Sequence, residues 1–534
     1  MLPVFHHLPG PIDVASGRMA GLDVAVAGFV GALCRHVPGP IPLGPGVLAA
    51  PELDPARVMP VAADGIARVG TLQRLDLRID AALGLRTGDA RAFSVVGLTH
   101  SLSNRPSWQA VADWATLPVQ PWDALVCTSA AGRSVIDRLL DAADAARGGD
   151  PFPRPERPVI PLGVETAAFA PDPGLRTEWR RRLGVAADEV LVLALGRLAV
   201  QDKANPLALF LAVAEAARRG ARLRLVVAGW VRNPRIEAAY RDALQRHAGG
   251  VPAIVRANID AEEKRGLLAA ADLFVSVADS IQETFGLAPV EAMAAGLPVV
   301  ASDWNGYRET VRHGADGVLV PTMTPPAGAG ADLGRRYQGG ALAYQPFALA
   351  LSQTTPVDVR AAATALAELA AHPDRRRAMG AAGRARAVAE FDWAAVVARH
   401  RALWQELAAI RRRAPETRAA AAAAAVAVDP YALFAGYPTA RLAPGDRLVP
   451  GPDRVAGDDP LLAVPEGTLP PAALAARLAE RLAGGCTVAD LLALAAPEQR
   501  PAVFRWVAWT AKRGALAVEP ARSLSAEGAS GSRY

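Results

Sequence analysis

From Leu191 to Val320 short β-branched runs alternate with helical segments at the spacing of βαβ units, and few architectures accommodate that alternation. Parallel strands need a crossover between each pair, so the pattern predicts a parallel sheet with helices on both faces. The runs are LVLAL at 191–195, RLVVAG at 224–229, AIVRA at 253–257, LFVSVA at 273–278, PVVAS at 298–302 and GVLVP at 317–321. With helical stretches such as 206–219 and 236–247 between them, they predict one doubly wound domain.

The first 150 residues repeat this grammar more faintly: extended residues at 2–5, a helix over 22–35, and apolar runs SVVGLTH at 94–100 and ALVCTS at 124–129. The stretch 37–75 is rich in Pro and Gly, and its strands are not placed by periodicity. At 534 residues the chain exceeds what one core fills, and the proline-rich PFPRPERPVIPLGVE at 151–165 reads as an interdomain linker. Beyond Pro321 the parallel pattern stops; 327–345 shows no firm period, and helices resume at about 356–372, 374–388 and 392–412. The Ala-rich stretch 411–428 reads as a helical extension or tether.

Near the end an amphipathic segment at 469–483, a short helix at 487–494 with Thr487 as N-cap, and a third helix over 498–513 closed by Gly514 precede the strand ALAVE. Three helices and a strand resemble a winged-helix module. The expected organisation is therefore α/β: two Rossmann-like domains at 1–155 and 156–410, a linker or extension at 411–465, a small mainly helical C-terminal domain at 466–520, and a disordered tail at 521–534.

Composition narrows the class. Hydrophobic residues at 51% and charged residues at 21% are the balance of a globular chain. A net charge of +5 is small for this length and argues against nucleic acid as partner. The three cysteines, Cys34, Cys127 and Cys486, form no CxxC pair, which predicts a reduced, cytoplasmic protein. The first residues show no signal-peptide pattern, and Ala419–Val428 is too short and too weakly apolar to span a bilayer. Arg411, Arg412 and Arg413 beside Leu403, Trp404, Leu407 and Ile410 leave peripheral attachment at the inner membrane face as an option.

The segment richest in chemistry is Glu283-Thr284-Phe285-Gly286-Leu287-Ala288-Pro289-Val290-Glu291. A strand ends before it near Ala278, a helix is expected from about Thr284, Gly296 closes that helix, and a strand starts at Pro298. A helix opening at the C-terminal edge of a parallel sheet aims unpaired N–H groups and its positive dipole end into the ligand crevice, where a pyrophosphate fits. Gly286 would let the backbone approach phosphate, Glu291 could accept from nucleotide hydroxyls, and Glu283 would face a transferred sugar. Arg197, just past LVLAL, and Lys203, in the next loop, put two cations at the same edge, suited to a leaving diphosphate.

These residues resemble the E-x7-E motif of the family 4 retaining glycosyltransferases, which have the GT-B fold. The resemblance extends over about residues 1–410 through VIPLGVETAAFAP at 159–171, ALGRL at 194–198, GLPVVASDWNGYRETV at 296–311 and FDW at 391–393. It implies two Rossmann-like domains facing a cleft, and a last helix crossing back to the first domain. It further implies Glu283 on the donor hexose, Glu291 on the ribose, and Arg197 and Lys203 on the diphosphate, with Thr284, Phe285, Gly286 and Leu287 completing the donor site. In this chain Lys203 precedes Ala204, where the family pattern has Gly.

His100 ends a strand edge in the first half and is similar to a sugar-contacting His of relatives. His6, His7 and the loop through Pro9, Gly10 and Gly17 are further candidates for phosphate or acceptor. No metal-ligand spacing is visible and no cofactor is expected; the substrates are a nucleotide-diphosphate sugar and a glycan, lipid-linked or other small acceptor. Two other readings are an interaction protein that recruits a protein or peptide through 466–520, and a GT-B phosphorylase or sugar epimerase, distinguished by whether free phosphate replaces the nucleotide.

Overall fold

The computed structural model describes residues 2–5, 21–44, 54–62, 65–79, 82–83, 85–86, 89–148, 153–201, 203–415, 429–451 and 455–521. His6, His7, Gly10, Gly17, most of the Ala-rich stretch and the C-terminal tail lie outside these residues.

Two six-stranded sheets dominate the chain. The first comprises β1 (Val4–Phe5), β2 (Ile41–Leu43), β3 (Val58–Pro60), β4 (Thr71–Gln73), β5 (Ser94–Leu98) and β6 (Ala124–Val126), in the order β3-β2-β1-β4-β5-β6. The second comprises β7 (Val190–Leu195), β8 (Leu223–Gly229), β9 (Ala253–Ala257), β10 (Leu273–Ser276), β11 (Val299–Ser302) and β12 (Gly317–Val320), in the order β12-β11-β10-β7-β8-β9. Every pairing in both is parallel. Each order reverses beside the sheet's first strand, and that reversal opens a crevice at the strands' C-terminal ends. All six runs read from the second half are strands.

The first half contains three strands that periodicity did not place, β2, β3 and β4, each of only three residues. At that length a period of two cannot be distinguished from chance. Pro60 also ends β3, an edge strand on which a missing N–H breaks no ladder. The proline-rich stretch near 151–165 proves more ordered than a tether: backbone bridges pair Glu156 with Ala124 and Val159 with Cys127, extending the edge of β6.

The two sheets are joined a second time by the long helix Trp393–Arg413, opened by Asp392 as its N-cap. Trp393, Val396, Val397, Leu403, Trp404 and Leu407 pack with Leu2, Phe5, Phe29, Leu33 and Ile41 of the first half in one buried cluster. Trp404 Nε1 donates to Gln73 Oε1 at 3.0 Å. The Trp393 ring lies so close to Gly163 that a Cβ there would sit 2.4 Å from it, so this crossing requires glycine. Arg411 turns back onto the first half, donating to Ser94 Oγ at 3.4 Å.

His400, on the same helix, stacks near Phe29 with ring centroids 4.8 Å apart, and its Nδ1 has no hydrogen-bond partner. Burial, reinforced by Arg399, lowers its pKa from 6.5 to about 3. The unfolded chain thus takes up a proton near 6.5 and the folded chain only near 3, so stability is full above the first value and drains as pH falls toward the second. His400→Leu is expected to flatten that acid limb in thermal melts at pH 7 and 5; an unaltered slope would contradict the buried neutral ring.

Beyond β12 the structure holds two helices that sequence reading missed, Ala331–Gln338 and Tyr344–Gln353. Glycines flank the first and Pro346 interrupts the start of the second, which hid the helical period. The C-terminal region contains helices Ala472–Leu482, Val488–Leu492 and Arg500–Lys512, with Thr487 and Asp490 forming a capping box on the middle one. They pack on a three-stranded antiparallel sheet of Arg447–Pro450, Cys486–Thr487 and Leu516–Glu519. Arg505, from the last helix, is 1% exposed and grips the Asp332 carboxylate with bonds of 2.6 and 2.9 Å. Two cations of this helix, Arg505 and Lys512, point inward against the second half. Among the described residues no helix is long and apolar enough to cross a membrane.

Candidate active site

The loop between β10 and the next helix is tied down almost residue by residue. Ser302 Oγ donates to the Ala278 carbonyl at 2.6 Å, and Trp304 Nε1 donates to that of Ser280 at 2.9 Å. Gln282 Oε1 accepts from the Tyr344 hydroxyl at 2.8 Å, and the Thr284 carbonyl accepts from Ser129 Oγ at 2.8 Å. The helix then begins at Leu287, three residues later than the sequence predicts, because Gly286 takes a left-handed φ of 89° as its N-cap. No side chain caps this end, so its first N–H groups remain available to an anion.

Gly286 is held to glycine twice over. Its φ is one that a Cβ disfavours, and a Cβ would stand 2.0 Å from the Tyr307 ring. Gly286→Ala is therefore expected to cost about 1–3 kcal/mol and to push Tyr307 off its partners. Donor affinity measured by titration should drop with it; undiminished affinity at wild-type stability would refute this.

Glu283 projects from the loop into a tight set of groups. Its carboxylate pairs with Lys203 Nζ and accepts from the Tyr307 hydroxyl at 3.2 Å. Tyr307 is anchored in turn by Ser276 Oγ at 2.8 Å. Burial works against charge on both Glu283 and Lys203, but their mutual attraction prevails: the carboxyl titrates below its usual range and the ammonium above it. Burial first, then the Glu283 charge, raises the Tyr307 pKa, so the phenol stays a protonated donor.

Arg197 lies two residues past β7, half-buried, and lines a small pocket with Leu198, Gln201, Trp230, Arg232 and Ile236. Its charge also bears on Lys203, so the two cations occupy one neighbourhood. Glu291, five residues and about one and a half turns along the helix from Gly286, is 8% exposed and bound to Lys264 Nζ at 2.6 Å. Thr284 and Phe285 are buried, and the Phe285 ring stacks edge-on with Phe391 at 5.9 Å. Phe285 thus turns its side chain into the core, leaving its backbone for the crevice, while Leu287 is half-buried at the helix start.

His100 follows β5 in the other half. One ring nitrogen bonds the Leu75 backbone, while Nε2 is buried with no protein partner. Burial lowers its pKa from 6.5 to about 4, so at neutral pH the ring is uncharged. The structure brings Glu283, Lys203 and Arg197 to one edge and Glu291 along the adjoining helix, while the partner of His100 is Leu75 of its own half.

Several functional contacts were not legible beforehand. Tyr344 bonds Ser103 Oγ of the first half at 2.7 Å as well as Gln282. The backbone N–H groups of Ala130 and Ala131 donate to the Glu309 carboxylate at 2.8 and 3.1 Å, so a residue of the second half occupies a helix N-terminus of the first. Lys264 and Tyr344 carry no motif that singles them out, and Tyr307 and Glu309, though inside the 296–311 motif, gain their partners only in the folded chain. Among the described residues no group of three or more His, Cys, Asp and Glu is arranged to hold a metal ion.

Residues 189–332, which contain Arg197, Lys203, Glu283 and Glu291, match the family model described as glycosyl transferases group 1. Over these residues the chain is similar to that family. Relatives of the chain include an alpha-maltose-1-phosphate synthase from Mycolicibacterium smegmatis, 28% identical over 58% of this chain and 72% of that one. A D-inositol 3-phosphate glycosyltransferase from Geodermatophilus obscurus is 36% identical over 35% of this chain and 43% of its own length. Among solved structures, a glycosyltransferase from Rickettsia africae superposes with a TM-score of 0.54 at 15% identity, covering 76% of this chain and 98% of that one. The sucrose-phosphate synthase of Thermosynechococcus elongatus gives 0.51 at 18% identity over 77% and 100%. These structural likenesses establish the two-sheet GT-B architecture.

Proposed function

We propose that this protein is a glycosyl transferase that moves a sugar from a nucleotide-diphosphate donor to an acceptor hydroxyl, with retention at the anomeric carbon and without a divalent metal. The observation that carries the reading is the paired Lys203 and Glu283 beside an uncapped helix start, with Glu291 on that same helix. The diphosphate lies against the N–H groups at Leu287, flanked by Lys203 and Arg197. Glu291 accepts from the ribose hydroxyls, and Lys264 fixes its orientation.

Glu283 and Tyr307 face the donor sugar. As the bond between the anomeric carbon and the phosphate oxygen breaks, charge builds on the leaving diphosphate, where two cations and a helix dipole stabilise it. The acceptor hydroxyl attacks from the face the phosphate leaves, and the phosphate oxygen takes its proton. His100, uncharged with an open Nε2, offers a hydrogen bond to the sugar from the opposite half. The acceptor, a glycan, lipid-linked or other small hydroxyl compound, enters mainly over the first sheet.

Thermal shifts with UDP-, GDP-, ADP- and TDP-sugars test the donor class, and one class is expected to raise the melting temperature. Anomeric NMR of the product is expected to show retention, and turnover is expected to survive EDTA. Inversion at the anomeric carbon, or activity that needs added Mg or Mn, would overturn the corresponding half of the reading.

A further inference from the structure

The loop that carries Glu283 passes through Asp279, and at Asp279 four parts of the chain meet. Its carboxylate accepts from the Asn205 backbone N–H at 3.1 Å, from Ser352 Oγ at 3.1 Å, and from Lys512 Nζ. Asn205 ends the short loop that holds Lys203. Ser352 belongs to the helix Tyr344–Gln353, and Lys512 closes the last helix of the C-terminal region. The ammonium also donates to the carbonyls of Ser352 at 2.5 Å and Thr355 at 3.3 Å, so its three N–H groups are all used.

The Lys512 and Asp279 side chains are 4% and 1% exposed. An ion pair this far from water is a poor source of stability, because desolvating both charges cancels most of their attraction and an apolar pair of like shape serves as well. What it does supply is fixed geometry. Asn205 is held from its other side too: its Nδ2 donates to the Leu461 carbonyl at 2.7 Å, and that carbonyl also accepts from Gln353 at 2.5 Å. Trp509 Nε1 secures the same strap through the Leu462 carbonyl at 3.0 Å.

We propose that Lys512 is a positioning residue for glycosyl transfer: by fixing Asp279 it clamps the Lys203 loop against the Glu283 loop, making the C-terminal region part of the donor site. This rests on the donor reading given above. Asp279 anchors the Glu283 loop at one end and the backbone of Asn205 at the other. Burial raises the Asp279 pKa, and Lys512, with the Asn205 and Ser352 donors, works against that rise while holding the carboxylate in one orientation.

The test compares Lys512→Met with Arg481→Ala, an exposed cation of the same region, in the full chain. Lys512→Met is expected to lower kcat at least tenfold in protein that melts cooperatively above the assay temperature. Amide exchange should rise at 203–207 and 279–286, and Arg481→Ala should change neither. A lower melting temperature with kcat and exchange in both segments intact would reduce Lys512 to a structural residue and overturn the proposal. Should Lys512→Met fail to fold, Asp279→Asn with Lys512→Met removes both charges. Restored folding with kcat still low then supports the clamp, and restored kcat refutes it. Exchange requires no turnover, so loosened segments in a chain inactive toward every donor would sustain the clamp while sinking the transferase reading.

Discussion

Lys203→Met will lower kcat and kcat/KM together by about 10²–10³-fold, the scale seen when one preorganised donor to a developing charge is removed. Lys203 pairs with Glu283 in the structure, and in the proposed reaction it would meet the diphosphate as that departs. Because the attraction grows as the leaving group gains charge, its loss should fall on the transition state rather than on ground-state binding.

The pH profile offers a second reading of the same variant. Glu283 titrates below its usual 4.5, so its contribution is present above that value and is lost as pH falls through the folded pKa. Lys203 titrates above its usual 10.5, so its contribution is present below that value and is lost as pH rises through its folded pKa. The wild-type pair is therefore intact across the neutral range. With Lys203 gone, burial acts on Glu283 almost unopposed and raises its pKa, so the variant should show an acid limb moved toward neutrality. Transfer within threefold of wild type and an unmoved profile would discard the assignment of Lys203 to the leaving group.

Trp393→Ala is expected to destabilise the chain by about 3–5 kcal/mol, the usual cost of truncating a buried aromatic in a well-packed core. The ring is 4% exposed, sits 5.9 Å from Phe29, and fills the space that Gly28 and Gly163 leave open. Denaturant unfolding should show the loss in the midpoint. A loss under about 1 kcal/mol would mean that the crossing helix is not a principal tie between the halves.

The second sheet could be read from sequence because its strands are β-branched runs of four to seven residues, set apart by helices with clear starts and stops. The first sheet could not be read fully, since its three-residue strands draw their stability from neighbours on both sides rather than from any local pattern. The start of the helix at Leu287 was misplaced for a related reason: Thr284 and Phe285 look helical in composition, but Gly286 is left-handed and turns the chain before it.

For the site, the E-x7-E spacing and the cations after β7 lead to four side chains of the candidate donor pocket. Their partners Tyr307 and Lys264 gain meaning only from contacts across 24 and 27 positions of chain, and Asp279, which ties the two loops, from one across 233. The C-terminal helix shows the same limit. Its cations have no periodic apolar partner in sequence, because the carboxylates that bury them lie on distant elements.

The crossing helix also bears on how the protein is made. Leu2, Phe5, Phe29, Leu33 and Ile41 share their buried cluster with side chains from residues 393–407, which complete its cover. At roughly 5–20 residues per second, translation leaves that apolar face without its cover for about 20–80 s. Throughout that interval the nascent first half is exposed to adhesion between ribosome-bound chains, so a truncation before Trp393 should yield insoluble material even though it retains every strand of both sheets.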